Sequence, residues 1–163
     1  MRRPKLTALL LSLPLFILIS CTSTEEVERE NIYYGNALPM TGAQETPAIT
    51  TSATGSIDAN YNRLTKTLTY KVTFSGLSGN ATAAHIHGLG EAGIKADIVQ
   101  TFSGFPAKTS GTYSGTLLAE EVRIKEEDIL AGRYYINIHT AANSQGEIRD
   151  QLILSKKINQ NSR

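Results

Sequence analysis

A chain of 163 residues is long enough for one domain and short for two. Its 16 Lys and Arg against 15 Asp and Glu look balanced, but Arg2, Arg3 and Lys5 precede every acid, so the part from Cys21 onward carries 13 basic and 15 acidic side chains, a formal −2. Phosphate recognition needs clustered cations, so nucleic acid is excluded as a partner class.

Residues 1–5 form a short basic segment with Arg2, Arg3 and Lys5, and residues 6–19 form an apolar stretch interrupted by Pro14. This layout predicts a secretory signal over residues 1–20, too short for a comfortable membrane crossing; an uncleaved anchor helix is the rival reading. Cys21 follows directly and is the single cysteine of the chain. It has no partner for an internal disulfide, which in an exported chain leaves a modification, an intermolecular bridge or a reactive thiol. Residues 22–31, TSTEEVEREN, are polar and acidic without apolar periodicity, so residues 21–32 read as a tether.

Beyond the tether, short alternating runs punctuated by turn residues predict an all-β antiparallel sandwich over residues 33–154. Strands are expected at 33–38, 53–59, 66–74, 82–87, 97–102, 111–118, 133–140 and 147–154. The strongest is the third, where Leu68, Tyr70, Val72 and Phe74 alternate with polar residues, as on a half-buried strand. Ile124, Ile129 and Leu130 with Glu126, Glu127 and Asp128 suit one short helix near 123–131, with Gly132 as its stop. Residues 155–163 read as a tail.

All three histidines fall in two expected strands, His85 and His87 in AAHIHGLGEAG and His139 in YYINIHTAANSQGEIRDQL. Residues two apart on a strand share a face, so His85 and His87 project together, and Tyr135, Asn137 and His139 do likewise. Tyr134, Ile136 and Ile138 take the opposite, core side, which puts every histidine on the more polar face. Three imidazoles from adjoining strands would suit Zn²⁺ or Cu²⁺ with a position left open; hydrogen-bonded structural histidines are the plainer reading, and adjacency of the two strands is not given by the sequence. Glu147, Arg149 and Asp150 suggest a cross-strand charged network, with Asn137 and Glu147 as candidate outer partners of a metal. The Tyr33–Tyr34 and Tyr134–Tyr135 pairs read as packing residues with wet hydroxyls. No G-x-S-x-G elbow, H-E-x-x-H helix or phosphate-binding glycine loop occurs, so no catalytic residue is assigned.

The segment Leu18, Ile19, Ser20, Cys21 resembles the lipobox of bacterial lipoproteins. The resemblance implies cleavage after Ser20 and a diacylglyceryl thioether on Cys21, with acyl chains such as palmitate holding the chain on a membrane. At roughly 0.8 kcal/mol per buried methylene, two or three chains make such an anchor stable. The acidic run of Glu25, Glu26, Glu28 and Glu30 is similar to tracts in Gram-negative lipoproteins sent to the outer cell surface, and equally to a plain solvated linker. AHIHGLGEAG, followed by GRYYINIHTAANSQGEIRDQL and preceded by ALPMTGAQETPAITTSATGSI, resembles the CHRD domain, named after chordin and common in bacterial exported proteins. This implies a β-sandwich of immunoglobulin-like character; with the lipid anchor, the chain is expected to be a binding module that presents a surface to an extracellular protein, glycan or metal from the cell envelope. Asp150 and Ser144 depart from the glycine and proline frequent there. The H-x-H strand also resembles copper and zinc superoxide dismutases, the alternative being a metal protein with redox or hydrolytic chemistry; that enzyme pattern needs more than three histidines and a disulfide.

Overall fold

The computed structural model describes residues 30–156; the signal segment, Cys21 and the residues from 157 onward lie outside the described residues. The strands are β1 (Ile32–Thr41), β2 (Thr54–Asn62), β3 (Thr67–Ser75), β4 (Ala81–Gly88), β5 (Ile98–Thr101), β6 (Gly111–Leu118), β7 (Tyr134–Thr140), β8 (Ile148–Gln151) and β9 (Ser155–Lys156), with helix α1 (Glu126–Leu130) before β7. They form one sheet in the order β5-β4-β7-β8-β1-β2-β3-β6, with β9 against the start of β1. The pairings are antiparallel, as the all-β reading expects.

Alternation produces the core. On β3, Leu68, Tyr70, Val72 and Phe74 are buried while Thr69, Lys71 and Thr73 are exposed. Ile57 and Tyr61 from β2, Ile86 from β4, Ile136 and Ile138 from β7 and Ile148 from β8 complete a continuous apolar cluster. The sheet curls until its two edges meet. Gln100 on β5 accepts a hydrogen bond from the Tyr70 hydroxyl at 2.9 Å and donates to the Thr116 carbonyl of β6 at 2.8 Å. Phe102 stacks on Tyr113 beside it, with ring centroids 4.8 Å apart.

Two local devices alter the expected boundaries. β1 continues past residue 38 because a bulge between Gly35 and Leu38 restarts the ladder. Ala37 sits there with φ 49°, its N–H held by Asp58 Oδ1 at 2.9 Å. Helix α1 is shorter than the expected span of 123–131, since Lys125 is still extended. It ends as expected at Gly132, with φ 70°, where the Arg133 N–H returns to the Asp128 carbonyl at 3.0 Å. No helix among the described residues is long and apolar enough to cross a membrane.

Ile136 is fully buried beneath the strand that carries His139. Ile136→Ala is expected to lower unfolding free energy by about 2–5 kcal/mol through lost burial and the cavity left behind. Denaturant titration checks this, with a shifted midpoint at unchanged slope as the expected result.

Candidate metal centre

β4 and β7 are neighbours, with Ala83 opposite His139, His85 opposite Asn137 and His87 opposite Tyr135. The pleat therefore sends the three histidines, Tyr135 and Asn137 to one face. One nitrogen from each imidazole joins a group whose members all lie within 4.8 Å of one another. His85 Nδ1 is 3.0 Å from His139 Nε2, and the His85 and His139 rings meet edge to face.

The remaining ring nitrogens fix the proton positions. His87 Nδ1 donates to the Ala96 carbonyl at 2.9 Å and His139 Nδ1 donates to the Ser144 carbonyl at 3.0 Å. Backbone carbonyls only accept, so both protons sit on Nδ1 and both Nε2 atoms carry bare lone pairs. Each Nε2 points at Asn137 Oδ1, at 3.0 Å from His87 and 2.9 Å from His139. Three acceptors thus converge, and His85 Nδ1–H, 3.0 Å from His139 Nε2, is the imidazole donor placed among them. Burial, then repulsion from His139 and His87, holds His85 down to about 4. Burial likewise lowers His87 and His139. The cluster is neutral at pH 7.

The face expected to be wet is instead covered. Tyr135, Asn137 and Arg149 are 3 %, 2 % and 2 % exposed. The segments that lead into and out of the strands fold over them and leave a cavity of about 380 Å³, lined by the three histidines, Asn137, Glu45, Lys95 and Arg149 among others. Tyr135 is part of this wall and not a packing residue with a wet hydroxyl. Its ring stacks on His87 at 4.7 Å, the Arg149 guanidinium lies 3.3 Å from its centroid, and its hydroxyl accepts the Ala96 N–H. Tyr134, on the core side, is buried as well.

The charged network expected along β8 does not form. Glu147 receives Thr51 Oγ1 at 2.8 Å, the Ser78 N–H at 2.9 Å, Ser78 Oγ at 2.6 Å and Thr140 Oγ1 at 2.7 Å. Burial works to raise this carboxyl, but the Ser78, Thr140 and Thr51 donors outweigh it and hold the group at about 2. Its bonds go to hydroxyls and not to a histidine, so it braces the segment between β7 and β8. Asp150 faces the other way, with burial raising it to about 6 and Oδ2 unpartnered. Asn137 does stand beside the imidazoles.

Glu45, which sequence reasoning did not select, enters the cavity from the turn after β1. The 3₁₀ turn Gly42–Gln44 lies within TGAQETP, between the strands expected at 33–38 and 53–59. Gly42 and Pro47 are turn signals, but the direction in which the turn faces depends on contacts distant in the chain.

The CHRD domain family profile matches residues 37–152, which takes in the histidine strands and the turn bearing Glu45. The chain belongs to the CHRD domain family. Among curated proteins and among solved structures, no significant match was found. The matched span of this CHRD domain begins within β1 and ends one residue past β8, so the strands that build the site fall inside it.

Glu147→Ala is expected to cost roughly 1–3 kcal/mol at pH 7 by leaving buried donors unpaired. A carboxyl held below its ordinary value contributes stability that is present above about pH 4.5 and is lost as pH falls towards about 2. The gap between wild type and variant should therefore close over that range, as read by denaturation at stepped pH.

Proposed function

We propose that this CHRD domain is a binding module of the cell envelope that holds a Zn²⁺ or Cu²⁺ ion through His85, His87 and His139. The observation that carries the reading is the convergence of two imidazole Nε2 atoms on Asn137 Oδ1, each within 3.0 Å of it, a surplus of lone pairs that a cation relieves. Neutral imidazole suits both metals. At metal–nitrogen distances of about 2.0–2.1 Å, tetrahedral ligands stand roughly 3.3 Å apart, so an ion would draw the rings slightly inward. His87 and His139 each give their other nitrogen to a backbone carbonyl, the support that metal-binding imidazoles ordinarily have. With three protein ligands a fourth position stays open to water or to a group presented by a partner.

Metal analysis and Cu²⁺ and Zn²⁺ titration of the full chain in detergent test the reading. Near-stoichiometric uptake by wild type and its loss in the His85→Ala, His87→Ala double variant are expected. Equal weak uptake by both would overturn it. The Asn137 amide turned end for end, with its NH₂ capping both imidazoles, would then be the better account.

The same proposal places the domain outside the cytoplasm, tethered through lipid on Cys21. The signal-like residues 1–20 and the lipobox-like Leu18–Cys21 support this. Labelled palmitate should enter the wild type and not Cys21→Ala; label in both would refute lipidation at that residue.

A further inference from the structure

Glu45 is buried with part of its hydrogen-bonding capacity unfilled. Its backbone is committed, the N–H returning to the Gly42 carbonyl at 3.1 Å. Its side chain is 7 % exposed, yet Oε1 has no hydrogen-bond partner among the described residues. A carboxyl oxygen in that state is costly, so it calls for an explanation. Glu147, by contrast, is saturated by hydroxyl and amide donors. Burial is also the largest influence on Glu45, pushing it up to about 7 against the opposing effects of Arg149, the Thr46 N–H, Asn137 and Lys95.

The location of Glu45 supplies the explanation. It is the one acidic residue among those lining the cavity that holds His85, His87 and His139. A side chain at Gly146, where φ is 124°, would collide with both Glu45 Oε1 and Asn137 Nδ2, so the carboxyl and the amide border the same small space. Asn137 thus has its Nδ2 end towards Glu45 and its Oδ1 end against the imidazoles.

Charge completes the case. Three neutral imidazoles leave both charges of a dication uncompensated, and Lys95 and Arg149 on the cavity wall add positive charge. In a partly dry cavity that arrangement is unfavourable without a nearby anion. Resting on the metal reading above, we propose that Glu45 is the carboxylate of the metal centre, offsetting the charge of the ion across the cavity and making the site selective for divalent over monovalent cations.

The test compares Zn²⁺ with Ag⁺, a monovalent ion that also binds imidazole, on the full chain in detergent by competition with a chromophoric chelator. Glu45→Gln keeps the shape and removes the charge. It should weaken Zn²⁺ roughly 10- to 100-fold, the range seen when outer partners of metal ligands are lost. Because Coulomb energy scales with ion charge, Ag⁺ should weaken by about the square root of that factor. The metal-free melting temperature should not fall. Equal losses for the two ions, or none, would overturn the role given to Glu45 while leaving the histidine site standing. Wild type that takes up neither ion would sink both. Glu45→Asp keeps the charge and serves if the Gln variant does not fold; it should retain a preference for Zn²⁺, and a preference as low as that of an uncharged site would overturn the proposal.

Discussion

Where β4 pairs with β7, backbone hydrogen bonds decide which residue stands opposite which, and the pleat decides which face each side chain takes. Ile86 opposite Ile136 and Ala84 opposite Ile138 are fully buried on the core side. A slip of one residue would turn these apolar groups outwards and the histidines into the core, a loss of several kcal/mol given roughly 1.5–3 kcal/mol per large apolar side chain. The register is therefore fixed by hydrophobic burial on one face. Convergence of the three imidazoles on the other face is a consequence of it.

That second face is a polar interior, and its members are treated unequally. Arg149 is fully enclosed but spread over the Tyr135 ring, with one nitrogen donating to Gln151 Oε1 at 3.2 Å. Gln151 in turn donates to the Gly90 and Gly132 carbonyls. Glu147 ties Ser78, Thr51 and Thr140 together. These groups are satisfied, which makes the frame stiff. The mismatched lone pairs at Asn137 and the orphan oxygen of Glu45 lie within that frame, on the wall of one cavity.

Much of this frame was legible in the chain itself. The alternation of Leu68, Tyr70, Val72 and Phe74 reads directly as a strand, Gly132 reads as a helix stop, and the period of two puts His85 with His87. Sequence patterns report each strand's own two faces but not what folds over them. Tyr135 and Asn137 look polar-facing because they alternate with isoleucine, whereas residues around 45–46 and 95–96, distant in the chain, close over that face. Glu147 stands one residue ahead of β8, and its partners Thr51 and Ser78 lie 96 and 69 positions away. Glu45 was hidden for the same reason, since a turn displays its tightness in glycine and proline and not the direction it faces.

Gln100 has a bearing on how this domain behaves among its own copies. The outer strands of an open sheet offer unpaired amides and carbonyls that invite a second molecule to add a strand. Here β5 and β6 lie close enough that one side chain spans them and fills the Thr116 carbonyl. One acceptor of a would-be template for intermolecular β-pairing is thus occupied from within the same molecule. Curvature of the sheet thereby blunts its own edge, along strands that carry neither a charge nor a proline.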